Sequence, residues 1–569
     1  MQAYFQHRRI KLAVEQQYQL SNHLKSVHSD STIAIDPEPT LDATEEPSHN
    51  PLQRLQAVSI PEVSIHVNAS TVLKEAAQFP GVSIQQHGTT PSGDPEYVFL
   101  VEWANEDGKL NPRNFTTGKR VGVTLVVSAL SFVVGIASSI DTAVLPQASQ
   151  DLHVSEVVES IATGIYLLGF SFGSLFSGPL SEVFGRNVVY IGSLGLFSIF
   201  IMASALAPNI GAQLAFRCLA GIFGCPPLTC CGGTIADVWN PLEKTFSFPL
   251  YSLGAFGGPI LGPIIASYIG QSSLSWRWAE WLTLIMAGLV MMTVLSWMPE
   301  TYSPLLLTWK ARHMREITSD PRYRSILEVE DTSLFTRMFI SFRRQRQLIT
   351  KEPVVLLIAL YLSIVWIVLF TFFDGYTYIF TDIYHISQGL TNIIWIAMYI
   401  GIILGEFLVP FLYRSLQKSL LATQDTEKGT SMKIHPEVRL WYAMLCAPAI
   451  PVSLFWMGWT NYASISIWSP IIATTLFGYG ILGIFISSCM YVIDSYDILS
   501  ASALGFMTFS RYFTAGVMTI VGLPFYENMG THWTLTILAC ISLLVTPLPY
   551  VLYHFGPAIR RRSHYALKD

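Results

Sequence analysis

Gly178-Pro-Leu-Ser-Glu182-Val-Phe-Gly185-Arg186 is a short polar stretch wedged between two long apolar runs. Ile161 to Ser177 precedes it and Val188 to Ala203 follows it. Either run is long enough to cross a bilayer as a helix. The stretch reads as a turn with a glycine at each end, carrying a carboxylate and a cation four residues apart. Charges at a membrane surface, pinned between two spanning helices, suggest a hinge or a latch. An ordinary surface ion pair, worth about 0–1 kcal/mol, is the plainer alternative.

Composition agrees with a membrane setting. Of 569 residues 51% are hydrophobic and only 13% charged, where a soluble domain carries about 25% charged residues. Mean hydropathy is +0.42. The formal net charge of −5 decides little, because acid gathers in the N-terminal region and base in a few loops. The seven cysteines (Cys218, Cys225, Cys230, Cys231, Cys446, Cys489, Cys540) fall in apolar segments. Their spacing matches neither a zinc site nor a secreted disulfide framework, so they read as small packing residues. There is no GxxxxGK phosphate loop, nucleophile elbow or metal-ligand cluster. The chain is therefore expected not to be an enzyme, to hold no cofactor or metal, and to bind no nucleic acid.

In order, residues 1–118 are rich in Ser, Pro, Glu and Gln and read as a mostly disordered cytoplasmic tail, with residues 98–103, Trp103 among them, able to pack locally near the membrane. No cleavable signal peptide is read there, and the sequons at Asn68 and Asn114 go unused in a cytoplasmic tail. Apolar spans follow near 121–143, 157–177, 188–207, 211–231, 246–270 and 279–298, numbered 1 to 6. After a polar interval come spans 7 to 12, near 353–374, 390–413, 439–458, 466–491, 500–524 and 532–554. The reading is an all-α membrane protein of twelve transmembrane helices in two six-helix halves, 119–298 and 353–555. A cytoplasmic central loop, 299–352, joins them, and a basic tail, 556–569, ends the chain. Lys and Arg crowd the central interval, the 414–437 loop and Arg560-Arg-Arg562, and are nearly absent from the opposite loops, where Arg277 stands alone. By the positive-inside rule both termini are cytoplasmic.

At this point the sequence resembles the major facilitator superfamily. Gly178, Leu180, Ser181, Glu182, Gly185 and Arg186 match that family's loop between helices 2 and 3, with Asn187 departing from its usual basic end. Leu214-Ala-Phe-Arg217-Cys-Leu-Ala-Gly221 is similar to its arginine-bearing helix 4, and Gly254-Ala-Phe-Gly-Gly258-Pro259-Ile-Leu-Gly262-Pro263 to the helix 5 motif of drug:proton antiporters. Ser275-Trp-Arg-Trp278, Pro299-Glu-Thr-Tyr-Ser-Pro304, Tyr491-Val-Ile-Asp494 and Ala501 to Arg511 extend the match. Together they resemble the fungal twelve-span drug:proton antiporter subfamily, which includes multidrug and polyamine exporters. The resemblance covers about residues 115–555. It implies the major facilitator fold, and a latch in which Gly178, Glu182, Gly185 and Arg186 tie the N-terminal half to helix 11 near Ser500–Arg511.

The residues themselves supply candidate chemistry. Arginine inside an apolar helix is costly, so Arg217 must face protein or water and find an acidic or carbonyl partner. Proton coupling or substrate contact is assigned to Asp141, Arg217, Asp374 and Glu406. Asp141 and Asp374 fall at matching places in spans 1 and 7; the alternative is that both are simply wet at the outer boundary. Asp494 reads as a loop anchor. Gly254, Gly258, Pro259, Gly262 and Pro263 form a small-residue face for close packing, bent by the prolines. Tyr166, Trp366 and Tyr399 are candidate substrate-lining aromatics. The expected function is a proton-coupled exporter of drugs, toxins or secondary metabolites, working by alternating access. The rivals are a polyamine or other organic-cation transporter and a transport-inactive sensor. The expected partners are a small-molecule substrate, protons and the lipid bilayer, with a monomeric chain in the plasma membrane or the vacuolar membrane.

Overall fold

The computed structural model describes residues 1–30, 79–89, 95–104, 108, 110–329, 334–426, 435–496 and 500–563. Asn68 lies outside them, and so does the side chain of Asp374. The chain divides into two compact units.

The larger unit holds the spans. Helices occupy Thr117–Ala137, Glu156–Phe184, Arg186–Ala205, Ile210–Val238, Lys244–Gln271 and Trp278–Trp297, then Pro353–Tyr376, Gln388–Lys418, Pro436–Thr460 and Trp468–Tyr496. These are spans 1 to 10. The last apolar helix, Ser500–Val545, is non-helical at Gly530 (φ 74°), where spans 11 and 12 part, and Leu548–Arg562 completes the bundle. Among the described residues eleven helices are thus long and apolar enough to cross a membrane, the final one divided by that glycine. Helices dominate because a lipid-exposed backbone must satisfy its own hydrogen bonds. Span 1 ends at Ala137, earlier than its apolar run, and Asp141 sits in a short 3-10 turn, Ile140–Ala143.

The opening stretch is not a free turn. Span 2 runs through it to Phe184, and Gly185 alone links it to span 3. Gly178 meets nothing that a side chain would disturb, whereas Gly185 is closely approached by Glu300 and Leu305. Gly185 has φ 87° and ψ 163°, a region essentially reserved for glycine. A Cβ there would stand 2.5 Å from Oε2 of Glu300. Gly185→Ala is expected to cost about 1–3 kcal/mol in backbone strain, with further loss from displacing Glu300. A depressed thermal midpoint of the purified protein would show it, and an unchanged midpoint would remove this role.

Span 5 packs on span 1 through the small-residue face. Cβ atoms added at Gly254, Gly258 and Gly262 would meet Ser128, the Phe132 carbonyl and Ser139 at 2.1, 2.2 and 2.8 Å. The helix is unbroken through Pro249, Pro259 and Pro263. Pro263 has no N–H to offer the Pro259 carbonyl, and the Ser139 hydroxyl donates to that oxygen instead, at 2.8 Å. The two halves meet where span 2 packs on span 11 and span 5 on span 8.

The smaller unit is Gln6–Asn111 with Leu306–Asp331; of the tail expected over residues 1–118, the segments 1–30, 79–89 and 95–104 carry structure, and residues 31–78 lie outside the described residues. A helix occupies Gln2–Asp30. Strand β1 (Val82–Thr89) pairs antiparallel with β2 (Pro95–Val101), and β2 pairs parallel with β3 (Tyr323–Arg324), Phe99 opposite Tyr323. Ile10, Val14, Phe79, Phe99 and Val101 share a core with Leu306, Ala311, Met314 and Tyr323. The N-terminal segment looked coreless because half its core is encoded in the central interval.

Candidate functional site

A buried polar cluster lies within the N-terminal half. Arg217, on span 4, is fully buried. Its Nη2 contacts Oδ2 of Asp141 and lies 2.8 Å from Oε1 of Glu280, while Nη1 donates to the Ala137 carbonyl at 2.7 Å. That carbonyl is free because span 1 stops there. Glu280, in the first turn of span 6, also accepts from the Ser204 hydroxyl at 3.0 Å. One turn before Arg217, Gln213 donates to Glu159 of span 2 at 2.9 Å. The guanidinium carbon stands 5.7 Å from the ring of Tyr166, whose hydroxyl donates to the Val134 carbonyl. Glu159, Gln213, Asp141, Arg217 and Glu280 therefore form one buried string at the ends of spans 1, 2, 4 and 6 away from Gly185. Asp141 is 5% exposed, which rules out the wet-boundary reading for that residue. Outside this string, Asp151 accepts from Arg277 at 2.5 Å and from the Trp276 indole at 3.0 Å. The indole and the guanidinium hold the Asp151 carboxyl below the usual range. They also explain the lone basic residue in that set of loops.

A second feature lies between the halves. Two adjoining cavities of about 330 and 350 Å³ share Leu228, Phe485 and Arg511. The first is lined by spans 4, 5, 7, 10 and 11, with Phe256, Trp366, Phe370 and Tyr512 supplying rings. The second adds Cys231, Phe248, Cys489 and Thr508. Their walls are largely apolar and aromatic with few polar groups, the character of a small-molecule site. Of the three expected aromatics, Trp366 lines this space. Tyr166 belongs to the Arg217 cluster, and Tyr399 donates to the Leu253 carbonyl of span 5 at 3.2 Å.

The Gly185 end is held by other groups than expected. Arg186 pairs with Asp237 at the end of span 4 at 3.3 Å and contacts the Ser181 hydroxyl. Glu300 caps span 3, accepting from the backbone N–H groups of Arg186 (3.0 Å) and Asn187 (3.1 Å) and from those of Thr301 and Tyr302. Burial pushes the Glu300 carboxyl upward against the pull of these four donors. Glu182 is half-buried and is not the carboxylate that pairs with Arg186. A cavity of about 480 Å³ at this end is lined by Gly178 and Arg186 on one side and Ser500, Leu504 and Gly505 on the other. The Ser174 hydroxyl donates across it to the Gly505 carbonyl at 3.2 Å.

The halves are also bridged by side chains. Buried Arg439, at the start of span 9, reaches Asp494 of span 10 at 2.8 Å, Thr245 of span 5 at 2.7 Å and the Pro241 carbonyl at 2.9 Å. At the opposite end Gln388 donates to the Ala143 carbonyl at 2.5 Å, and Gln147 donates to Gln388 at 3.3 Å. Glu406 is half-buried at the end of the helix Trp395–Glu406 and joins neither cluster. Sequence reading passes over Glu159, Glu280, Arg439 and Asp237, and meets Glu300 only inside the Pro299–Pro304 motif, without a role. Its available signals were the Gln213/Arg217 spacing of four and the rule that a membrane arginine needs an acid.

The Major Facilitator Superfamily model matches residues 127–519. The MFS-type transporter kojT of Aspergillus oryzae is 48% identical over 467 residues, 82% of each chain. The citrinin biosynthesis cluster MFS transporter mrr1 of Monascus ruber is 32% identical over 495 residues, 86% of this chain and 97% of its own. Among solved structures, the proton:xylose symporter XylE superposes with a TM-score of 0.57 over 78% of this chain and 96% of that one. Its identity is 13%, a likeness of fold alone.

Proposed function

The chain belongs to the major facilitator superfamily, and from that premise we propose that it is a proton-coupled exporter of secondary metabolites, drugs or toxins. It would work as a monomer in the plasma membrane with both termini cytoplasmic, within the drug:proton antiporter branch of the family. The observation that carries this reading is the Asp141–Arg217–Glu280 cluster. Two buried carboxylates share one buried guanidinium. A proton arriving on either carboxylate hands Arg217 to the other. That exchange moves span 4 against spans 1 and 6, and span 4 also lines both central cavities. The cluster lies toward the loops that the positive-inside rule puts outside, the side from which an antiported proton enters. Alternating access would follow from rocking of the halves, with Gly178–Arg186 acting as the cytoplasmic latch against span 11. The relatives named for biosynthetic clusters favour an exported metabolite over a nutrient. The organic-cation alternative loses one of its two carboxylates, because Asp141 is already engaged by Arg217.

The experiment is flux in proteoliposomes under an imposed pH gradient. Substrate movement opposite to the proton gradient, abolished by an ionophore, supports the proposal. Flux indifferent to the gradient would overturn the coupling, and no flux for any of a broad set of metabolites would favour the sensor.

A further inference from the structure

Arg511 is the group that the coupling scheme leaves unused. It is 3% exposed and lines both central cavities. Its guanidinium carbon lies 4.6 Å from the ring of Trp366, 5.1 Å from Phe485 and 5.2 Å from Tyr512. Among the described residues no carboxylate forms an ion pair with it, and its Nε has no hydrogen-bond partner. The titratable groups that feel its charge are Cys225, Cys231, Cys489 and Tyr512. Thiols and phenols are neutral near pH 7. The contrast with Arg217 and Arg439 is direct: both of those buried arginines already hold acids.

An arginine keeps its charge at any physiological pH, and its planar fork matches a carboxylate with two parallel hydrogen bonds. The rings around it are themselves in contact: Phe256 with Trp366 at 5.8 Å, Phe256 with Phe485 at 5.3 Å, Trp366 with Phe485 at 5.5 Å. Such walls suit a flat, delocalised body. We propose that Arg511 is the substrate's counter-ion, and that the cavity takes a planar aromatic acid of one or two rings, bound as its anion. The substrate then neutralises the cation while it is held between the halves. Arg511 is a binding residue here. The inference rests on the transporter reading above in placing the substrate between the halves, but it does not require proton coupling.

The test is equilibrium binding to the full-length protein in phosphatidylcholine nanodiscs, with no gradient, so it reads the site and not the coupling. The probes are 2-naphthoate, 2-naphthamide and 2-naphthylmethylammonium, which share a ring system and differ in charge. Naphthoate is expected to bind at least about tenfold tighter than either of the others, the scale of one charge-assisted contact. Arg511→Gln should erase that preference while leaving naphthamide affinity within about twofold, and Arg511→Lys should keep part of it, since a point charge remains without the fork. The proposal falls if the amide or the ammonium binds as well as the acid in the wild type, a comparison needing no variant. It falls equally if Arg511→Gln retains the preference. Displacement of naphthoate by phosphatidylglycerol would assign the guanidinium to a lipid headgroup and would also overturn it. Gradient-independent flux with the acid preference intact would sink the coupling alone.

Discussion

Glu280→Gln is expected to uncouple transport from the pH gradient. The amide keeps the shape and can still accept from Ser204, but it cannot exchange a proton with Asp141 across Arg217. Gradient-driven flux should fall by at least about tenfold, a change of about 1.4 kcal/mol in barrier. Substrate counterflow, which needs no proton, should survive. Counterflow and driven flux lost together, or neither lost, would contradict the assignment. Arg217→Leu is the contrasting variant. It strands two buried carboxylates, and breaking a buried pair on one side costs about 3–5 kcal/mol. It should appear as lost folded protein, with no selective loss of coupling.

Arg439→Leu is expected to open the Gly185 end of the interface. Arg439 joins Asp494 and the start of span 9 to Thr245 and Pro241 of the other half. Removing it leaves the Asp494 carboxylate without its partner and deletes two ties across the halves. A shift of about 1.4 kcal/mol toward the open state raises access tenfold. The native thiols Cys231 and Cys489, which line the central cavity, report it through their rate of alkylation. Rates that stay at the wild-type value in a folded variant would show that other contacts hold this end. Gln147 and Gln388 form the corresponding bridge at the far end, made of neutral amides. The two ends are thus closed by bonds of different strength, with the charge-assisted ones, from Arg439 to a hydroxyl and a carbonyl, at the Gly185 end.

The spans were legible in the sequence because lipid imposes a single demand over some twenty residues. Their ends were less so, and Asp141 shows why. An apolar run continues past the point where the helix stops, so hydropathy extended span 1 beyond Ala137. Asp141 and Arg217 were found because a charge inside an apolar run stands out alone. Glu159 and Glu280 sit in the first turns of spans 2 and 6, where an acid reads as an ordinary helix start. Only their distance to Gln213 and Arg217 reveals them, and that distance depends on tertiary packing. The same limit hid Glu300, which acts on the backbone of Arg186 from more than a hundred residues away. The opening stretch was recognised for its residue pattern, yet its ion pair runs to Asp237 and not to Glu182.

The strand pairing of the smaller unit bears on how the chain is made. β1 and β2 leave the ribosome before any span does, but β3 lies roughly 220 residues later. At about 5–20 residues per second, that gap is roughly 10 to 40 s. During it six spans are synthesised while the Phe99–Val101 edge has nothing to pair with, in the window when an unpaired strand recruits unwanted partners. This sheet is completed only after the first six spans are behind the ribosome, as the chain turns to its second half.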